Sequence, residues 1–422
     1  MNSLSIHLPL PRLDGSIGVR LGNHIEPWGD NTVGNTQQRI TSKIGLGATA
    51  ALALALVLTI PSAQAQTFID LYNFTGSGGS SPQAQLLRDT AGNLYGAARR
   101  GGSSNAGVVF KLDTSGTETV LYTFSGGADG KFPSSGLIQD AKGNFYGTTR
   151  EGGTSTYGTV YKLTAGGVET VLHSFAGTDG CFPSGGLVMD ANENLYGVTP
   201  ECGASGEGVV FRLGKYGKLT ILHNFAGGTT DGAYPYYTSV LMDSKGSLYG
   251  VTFIGGASNN GVLYKLSKYG KLTLLHSFAG GATDGCFPYG TPALDPLGNL
   301  VGTTQQCGAS NQGIVYKLGR YGKETLLHNF AGGATDGSYP LSGVTMDTEG
   351  NLYGDTQLGG ASNLGAVYEL GKYSKLTLLH SFSGSDGSSP LGDVLLDANG
   401  NLYGTASAGG SSSVGTVWEI TK

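Results

Sequence analysis

The chain has 422 residues, of which 74 are glycine and only 13% are charged. Its apolar share of 39% is enough for a sizeable core, which argues against intrinsic disorder. The formal net charge of −5 argues against general nucleic-acid binding, because that requires basic side chains that neutralise phosphates.

The first predicted element is a secretory signal. An uncharged apolar run, Ile44–Ile60, follows two basic residues. It precedes residues 61–65, which have small side chains at the two positions that signal peptidase recognises. We predict a long polar n-region or a misassigned start in residues 1–43, a signal peptide in residues 44–65 and cleavage before Gln66. The alternative is a membrane anchor, because 17 apolar residues lie at the short end of a membrane span.

Residues 66–422 are predicted to form a single domain of seven repeats, each about 51 residues long. The landmark of the repeat is a Leu/Phe-Tyr-Gly step, in which Val301 replaces the tyrosine of the fifth copy. The tyrosines are Tyr95, Tyr146, Tyr196, Tyr249, Tyr353 and Tyr403. The successive spacings are 51, 50, 53, 52, 52 and 50 residues. A period of this length indicates an array or a propeller.

Each repeat contains four strand-like runs separated by glycine turns. In the second copy they are Gly136–Asp140, Asn144–Thr149, Gly158–Leu163 and Thr170–Phe175. Four antiparallel strands form one propeller blade, and a closed ring of blades leaves no long exposed edge. The pattern therefore predicts an all-β, seven-bladed β-propeller of four-stranded blades. A β-solenoid is the alternative, although its coils are usually shorter.

The two ends of the repeat region predict how the ring closes. Residues Thr67–Phe74 match the fourth-strand phrase, whereas the last residues, Gly415–Ile420, match the third-strand phrase. The last copy thus lacks a fourth strand, and we expect residues 68–74 to complete that blade beside Val414–Ile420.

The repeat phrase resembles a known family. The Asp-x-x-Gly-Asn-Leu-Tyr pattern at Asp347–Tyr353, followed by Leu376–Phe382, resembles the GloVer tandem repeat of secreted bacterial proteins. The resemblance covers essentially all of residues 66–422. It implies an exported repeat protein, often with a C-terminal sorting anchor, and we expect no such anchor in this sequence. The strand pattern also resembles propeller repeats in which Gly136–Asp140 would be the inner strand and Thr170–Phe175 the outer one.

Four cysteines form two pairs with the same spacing of 21 residues: Cys181 with Cys202, and Cys286 with Cys307. Repeats that lack the first cysteine also lack the second, which suggests contact between the two positions. In an exported protein this predicts two disulfides, with metal thiolates or free thiols as the alternatives.

The loops before the inner strands carry two recurring residue types that are candidate ligands. The loop aspartates are Asp129, Asp179, Asp231, Asp284, Asp336 and Asp386. The loop aromatics, each followed by proline, are Phe132, Phe182, Tyr234, Phe287 and Tyr339. Together they would form a crown of carboxylates and rings that binds sugars, with Ca²⁺ as a potential cofactor. The alternative is that each carboxylate only shapes its own turn.

Two further series recur once per repeat. The histidines His173, His223, His276, His328 and His380 occupy one outer-strand position. Because they lie in separate repeats, we expect packing or hydrogen bonding and no shared metal ion. Four hairpins, residues 215–218, 268–271, 320–323 and 372–375, would form a basic, tyrosine-bearing arc on the other face. This arc suits anionic polymers, although it could equally be a solvated turn surface.

The function predicted from these patterns is binding without catalysis. The residues that lead into the inner strands are small and neutral apart from Asp393, and we predict no catalytic residues. We expect a secreted monomer, extracellular or periplasmic and in some settings cell-surface associated, that recognises envelope polysaccharide through its long loops. It would contact no nucleic acid and would keep no membrane span after cleavage. The alternatives are a polysaccharide lyase or hydrolase and a protein–protein interaction scaffold.

Overall fold

The computed structural model describes residues 66–422, so the predicted n-region and signal peptide lie outside the described residues. The described chain forms 36 strands in seven blades. No helix within residues 66–422 is long and apolar enough to cross a bilayer.

The strands follow the order of the blades, apart from the first one. The chain begins with β1 (Thr67–Asn73), which belongs to blade 7. Blade 1 contains β2 (Ser80–Pro82), β3 (Leu87–Arg88), β4 (Leu94–Arg100), β5 (Val108–Leu112) and β6 (Glu118–Thr123). Blade 2 contains β7 (Lys131–Pro133), β8 (Ile138–Gln139), β9 (Phe145–Glu151), β10 (Thr159–Leu163) and β11 (Glu169–Ser174). Blade 3 contains β12 (Val188–Met189), β13 (Leu195–Thr199), β14 (Val209–Leu213) and β15 (Leu219–Asn224).

The remaining blades have the same arrangement. Blade 4 contains β16 (Gly232–Ala233), β17 (Leu241–Met242), β18 (Leu248–Thr252), β19 (Ile254–Gly255), β20 (Val262–Leu266) and β21 (Leu272–Ser277). Blade 5 contains β22 (Gly285–Pro288), β23 (Ala293–Leu294), β24 (Leu300–Cys307), β25 (Ile314–Leu318) and β26 (Glu324–Asn329). Blade 6 contains β27 (Gly337–Ser338), β28 (Thr345–Met346), β29 (Leu352–Thr356), β30 (Leu358–Gly359), β31 (Ala366–Leu370) and β32 (Leu376–Ser381). Blade 7 contains β33 (Ser388–Pro390), β34 (Leu395–Leu396), β35 (Leu402–Ala408), β36 (Thr416–Thr421) and β1.

Each blade has four antiparallel strand positions, as predicted, but in most blades a position is divided into short segments, and the inner strand is shorter than expected. In blade 2 only Ile138–Gln139 pair with the start of β9, and the separate strand β7 pairs with the end of β9. Between these two ladders the Ser135 hydroxyl accepts a hydrogen bond from the Thr148 amide at 3.2 Å. A side chain therefore replaces the backbone partner there, and the predicted strand Gly136–Asp140 is interrupted.

The ring closes as predicted. Strand β1 pairs with β36 from Thr67 opposite Thr421 to Asn73 opposite Thr416. The first strand of the described chain thus supplies the outer strand of the last blade.

The core consists of seven similar joints between blades. In each joint the phenylalanine after an outer strand contacts the aromatic side chain in the third strand of the next blade, mostly edge to face. The pairs are Phe74–Phe110, Phe124–Tyr161, Phe175–Phe211, Phe225–Tyr264, Phe278–Tyr316, Phe330–Tyr368 and Phe382–Trp418, with centroid distances of 5.1 to 6.2 Å. All seven phenylalanines are fully buried. Such pairs add stability beyond their buried area.

These rings also explain the glycine of the Leu/Phe-Tyr-Gly step. A Cβ on Gly147 would lie 2.6 Å from the Tyr161 hydroxyl, and a Cβ on Gly404 would lie 2.2 Å from the Trp418 ring. Only glycine leaves room for the aromatic side chain of the third strand.

Strand direction divides the loops between two faces. The loop into the inner strand and the loop after the second strand lie together on one face, which we call the long-loop face. The short turns after the inner and third strands lie on the opposite face, which we call the hairpin face.

Candidate functional site

The loop aspartates lie on the long-loop face, at six of the seven joints between successive blades, and each is bonded within its own loop. The Asp179 carboxylate accepts a hydrogen bond from the Ala176 amide at 2.8 Å and pairs with His173 Nε2 at 2.9 Å. Equivalent pairs are His223–Asp231, His276–Asp284, His328–Asp336 and His380–Asp386, while Tyr122 donates to Asp129.

This pairing explains the two recurring series together. The expected hydrogen-bonding role of the histidines is present, and its partner is the loop aspartate. In the joint between blades 7 and 1, Gly78 replaces the aspartate, and Tyr72 donates instead to Glu118 at 2.7 Å. Both oxygens of Asp231 and Asp336 are engaged by amides and by histidine. The ligand-binding role of the loop aspartates stays a prediction.

The loop aromatics sit at a special backbone position. Phe132, Phe182, Tyr234, Phe287 and Tyr339 have φ between 55° and 61°, a left-handed conformation that bulky residues rarely adopt. The amide of each donates to a carbonyl of the preceding blade; Phe132 N donates to Ala106 O at 2.7 Å. The backbone at this position therefore links neighbouring blades, and all five side chains are half-buried.

Two of the loop aromatics belong to a larger group of rings, which we call the aromatic platform. It consists of Tyr234, Tyr236, Tyr237, Phe253, Phe287 and Tyr289, all half-buried. Ring contacts join all six, with centroid distances of 4.9 Å for Phe253–Phe287, 5.4 Å for the stacked pair Tyr237–Tyr289, and up to 6.0 Å for the others. The long loops of blades 4 and 5 supply every ring.

Charged groups from other blades contact the edges of the aromatic platform. Arg150 of blade 2 donates to the Tyr237 hydroxyl at 3.0 Å. Glu201 of blade 3 accepts a hydrogen bond from the Tyr236 hydroxyl at 3.1 Å. Burial and the Glu201 charge raise the pKa of Tyr236, which keeps this hydroxyl protonated.

The aromatic platform borders the mouth of the axial channel. Seven residues, one per blade, follow the loop prolines and line a cavity of about 170 Å³ together with Gln357. They are Gln83, Ser134, Ser184, Tyr237, Tyr289, Leu341 and Leu391. The mouth is therefore polar on the side of blades 1 to 3, aromatic at blades 4 and 5, and aliphatic at blades 6 and 7.

Sequence reasoning missed four of the six rings. Tyr236, Tyr237 and Tyr289 follow the prolines, and Phe253 follows a second strand, so none of them fits the aromatic-proline pattern. One signal was present: between its proline and its inner strand, the loop into blade 4 has one residue more than the equivalent loops, with two adjacent tyrosines after Pro235.

Two carboxyl groups lie deeper, between blades 6 and 7; Asp355 is buried and Asp393 is half-buried. Asp355 is 1% exposed; one of its oxygens accepts from Ser342 Oγ at 2.7 Å, and the other has no partner. Asp393, which lines the channel, accepts from the Gly343 amide at 2.6 Å. Burial raises the pKa of both, and the Asp393 charge raises that of Asp355 further. The sequence singled out Asp393 but not Asp355.

Among the described residues, one group of three side chains could hold a metal ion: His276, Asp284 and Glu324. His276 Nε2 lies 3.3 Å from Asp284 and 3.4 Å from Glu324. Burial raises the pKa of Glu324 to about 7. The group contains only one of the loop aspartates, so it does not join them in a common site.

The four hairpins of the predicted basic arc carry the most exposed tyrosines of the described chain. Tyr216, Tyr269, Tyr321 and Tyr373 are 85% to 93% exposed on the hairpin face. Binding of anionic polymers by this arc stays a prediction.

The predicted disulfides are confirmed. Bonds join Cys181 to Cys202 and Cys286 to Cys307, with Cα separations of 5.5 and 5.4 Å. Each ties the loop into an inner strand to the loop after the second strand, on the long-loop face. Two disulfides without a free cysteine among the described residues indicate an oxidising environment.

Replacing Cys181 and Cys202 together by alanine should lower the free energy of unfolding by about 3 kcal/mol, because the bond restricts the unfolded chain. Denaturant titration with and without dithiothreitol measures the loss. A variant that lacks all four cysteines serves as control, because reductant should not change its midpoint. An equal midpoint for the wild type and the double variant would contradict this expectation.

The closed ring of seven blades, with its long loops gathered around an axial channel, defines a β-propeller. The chain belongs to the Gloeobacter/Verrucomicrobia repeat family, whose model matches residues 56–240, 107–303 and 236–422. The resemblance drawn from the repeat phrase is thereby confirmed.

Two solved structures are similar to this chain at low sequence identity. The chain is similar to virginiamycin B lyase from Staphylococcus aureus, with a TM-score of 0.54, 12% identity, and coverage of 85% of this chain and 99% of the lyase. It is also similar to XC5397 from Xanthomonas campestris, a gluconolactonase, with a TM-score of 0.43, 14% identity, and coverage of 84% and 89%. Among curated proteins, none matches this sequence. The likeness to the lyase concerns the fold alone.

Proposed function

We propose that this propeller is a non-enzymatic binding protein that recognises carbohydrate through its long-loop face. The observation that carries the proposal is the aromatic platform, six contiguous half-buried rings beside the channel mouth. Large aromatic clusters with a few convergent polar groups are typical of ligand sites. They are rare on surfaces that contact only water.

The chemistry around the rings suits a sugar. The apolar C–H face of a pyranose would pack on Tyr237 and Tyr289, and its hydroxyls would reach Arg150 and the amides of Gln83 and Gln357. The latter two line the same mouth. A cavity of about 170 Å³ would take one sugar unit, with the rest of the polymer lying across the platform.

The proposal includes an extracytoplasmic location. The disulfides and the predicted signal peptide support export, and envelope or extracellular polysaccharide is the corresponding ligand class. The loop aspartates are bonded within their own loops, so we expect sugar binding without Ca²⁺. A protein partner on the same face is the second candidate, because exposed aromatic clusters also occur at protein interfaces.

The double variant Tyr237→Ala/Tyr289→Ala should retain the fold and lose at least tenfold in affinity for the polysaccharide that the wild type binds. Co-sedimentation with polysaccharides and cell envelopes, with and without EDTA, measures the affinity, and assay of soluble oligosaccharide detects turnover. The control is Val120→Ala/Val168→Ala, which trims two exposed apolar side chains that belong to no candidate site. Equal loss in both variants would contradict the site. Release of oligosaccharide would favour the lyase or hydrolase alternative, and retention of no polysaccharide would favour a protein partner.

A further inference from the structure

One hydrogen bond recurs on the hairpin face of every repeat that has the tyrosine of the Leu/Phe-Tyr-Gly step. The tyrosine hydroxyl donates to the aspartate that opens the inner hairpin of the same blade. The pairs are Tyr95–Asp89, Tyr146–Asp140, Tyr196–Asp190, Tyr249–Asp243, Tyr353–Asp347 and Tyr403–Asp397, at 3.0 to 3.4 Å. The ring of each packs in the groove toward the next blade; Tyr146 contacts the cluster that contains Leu195 and Leu213.

The fifth repeat keeps these surroundings but lacks the ring. Val301 replaces the tyrosine and packs with Leu352 and Leu370, the equivalents of Leu195 and Leu213 in the next blade. Asp295 still accepts from the Asn299 amide at 2.8 Å and from the Asn299 side chain at 2.6 Å, as the hairpin aspartates other than Asp243 do with their asparagines. The acceptor and both apolar walls of a phenol site are therefore present, but Val301, Leu352 and Leu370 are each less than 5% exposed, so a ring would reach them only by displacing the side chains that cover them.

A cavity of about 300 Å³ occupies this groove between blades 5 and 6. Val301, Leu327, Met346, Leu352 and Leu370 give it an apolar interior, and Asp295 and Lys317 lie at its polar end. The equivalent groove between blades 2 and 3, where Tyr146 is present, measures about 240 Å³, and the groove between the inner hairpins of blades 6 and 7, where Tyr353 is present, measures about 450 Å³. The groove of blade 5 is therefore distinguished by its lining and not by its volume.

The rim of the groove also departs from the repeat. The inner hairpin of blade 5 reads Pro296-Leu297, where the other copies have small or polar residues. Leu297 is 72% exposed and lines the cavity. The repeat that lost a buried ring thus gained an exposed aliphatic side chain at the edge of the same groove.

We propose that this groove, which we call the phenol slot, binds a small molecule that carries a para-hydroxyphenyl group. Its ring would lie on Val301 between Leu352 and Leu370, and its hydroxyl would donate to Asp295. Lys317 lies 3.3 Å from the Asp295 carboxylate, and blade 4 shows that such a lysine is compatible with a phenol. There, Asp243 accepts from Tyr249 at 3.1 Å while Lys265 stands 3.8 Å from Asp243 and 4.9 Å from the Tyr249 ring centroid.

The chain's own tyrosines therefore define the ligand class. A flat apolar ring fills the space between the leucines, and a single donor opposite its point of attachment reaches the carboxylate. A ring without the hydroxyl would leave Asp295 without that donor, which weakens binding at a site built for a hydrogen bond. The phenol slot lies on the hairpin face and does not depend on the proposed carbohydrate site.

The test titrates 4-methylphenol into the protein and follows binding by ligand-observed NMR, with toluene for comparison. We expect a Kd of about 1 mM for 4-methylphenol, which is reasonable for so small a ligand, and at least tenfold weaker binding of toluene. Val301→Tyr supplies the ring from the chain itself and should abolish binding of 4-methylphenol. Tyr146→Val should create a second site in the groove between blades 2 and 3.

Unchanged binding of 4-methylphenol to Val301→Tyr would overturn the proposal, as would toluene binding as tightly as 4-methylphenol. Absence of binding to both the wild type and Tyr146→Val would also overturn it. If Val301→Tyr does not fold, Val301→Phe blocks the slot with a ring that makes no hydrogen bond to Asp295, and it should abolish binding equally. Circular dichroism confirms the fold of each variant.

Discussion

Deleting residues 66–73 is expected to remove cooperative unfolding and to leave a chain that aggregates. Strand β1 covers the whole length of β36, and without it the third strand of blade 7 becomes an exposed edge with unpaired amides and carbonyls. Phe68 in this strand stacks on His380 at 3.6 Å and contacts Phe382 and Trp418, so the deletion also opens the joint between blades 6 and 7. Thermal unfolding by calorimetry, together with light scattering, measures both effects.

Two point variants separate the role of the joint from that of the strand. Phe68→Ala should lower the free energy of unfolding by about 2–4 kcal/mol, because it removes a ring packed in the joint. Ile69→Ala changes the next residue, whose side chain is 39% exposed, and should cost less than about 1 kcal/mol. A deletion variant that unfolds cooperatively at the wild-type temperature would show that the ring does not close through β1.

Replacing Asp355 by threonine should stabilise the protein by about 2–4 kcal/mol at pH 8, since it removes a buried carboxyl group with an unpartnered oxygen. Threonine already occupies this position in three other blades. There the hydroxyls of Thr148, Thr303 and Thr405 donate to a carbonyl of the next blade, at 3.3, 2.6 and 3.4 Å. In blade 6 the equivalent carbonyl is that of Gly392, so the new hydroxyl would gain a partner.

The gain should depend on pH. Burial raises the pKa of Asp355 well above its ordinary value of 3.8, so the folded chain keeps this proton to a higher pH than the unfolded chain. Below pH 3.8 both states are protonated and Asp355 carries no such penalty. As the pH rises, only the unfolded state ionises, and stability falls until the folded pKa is passed. The advantage of Asp355→Thr should therefore be small at pH 4 and largest at pH 8.

Urea titrations of both proteins at pH 4, 6 and 8 measure this difference. Thr303→Val is the matched control: it removes an inter-blade hydrogen bond without a titratable group, and its cost of about 1 kcal/mol should not change with pH. Parallel stability curves for the wild type and Asp355→Thr would contradict the raised pKa of Asp355. Asp355 lowers stability in blade 6, and residues that lower stability in this way are often found at functional sites.

Features that recur along the chain could be predicted from sequence. The fold followed from the spacing of the Leu/Phe-Tyr-Gly step, and ring closure followed from the displaced outer-strand phrase at Thr67–Phe74. The disulfides followed from cysteines that are present or absent together. In each case the repeats could be compared with one another, because equivalent positions in different repeats have the same structural role.

Features that depend on one copy could not be predicted in this way. Arg150 and Tyr237 are 87 residues apart and meet only because loops from blades 2 and 4 both reach the channel mouth. The sequence shows that Asp355 stands where three other repeats have threonine. Only the folded ring shows that this position is buried, which makes a carboxyl group costly there. The histidines and loop aspartates were recognised as two separate series, and the fold was needed to show that they are partners.

The pairing of Thr67 with Thr421 has a consequence for how the molecule can be mounted. Strand β1 starts, and β36 finishes, on the hairpin face, so an attachment made at either end pulls on the same side of the disc. A propeller immobilised through Thr67 or Lys422 would lie with its hairpins toward the support and the aromatic platform toward the solution. Sensor chips and display scaffolds could therefore use either end and present the same surface.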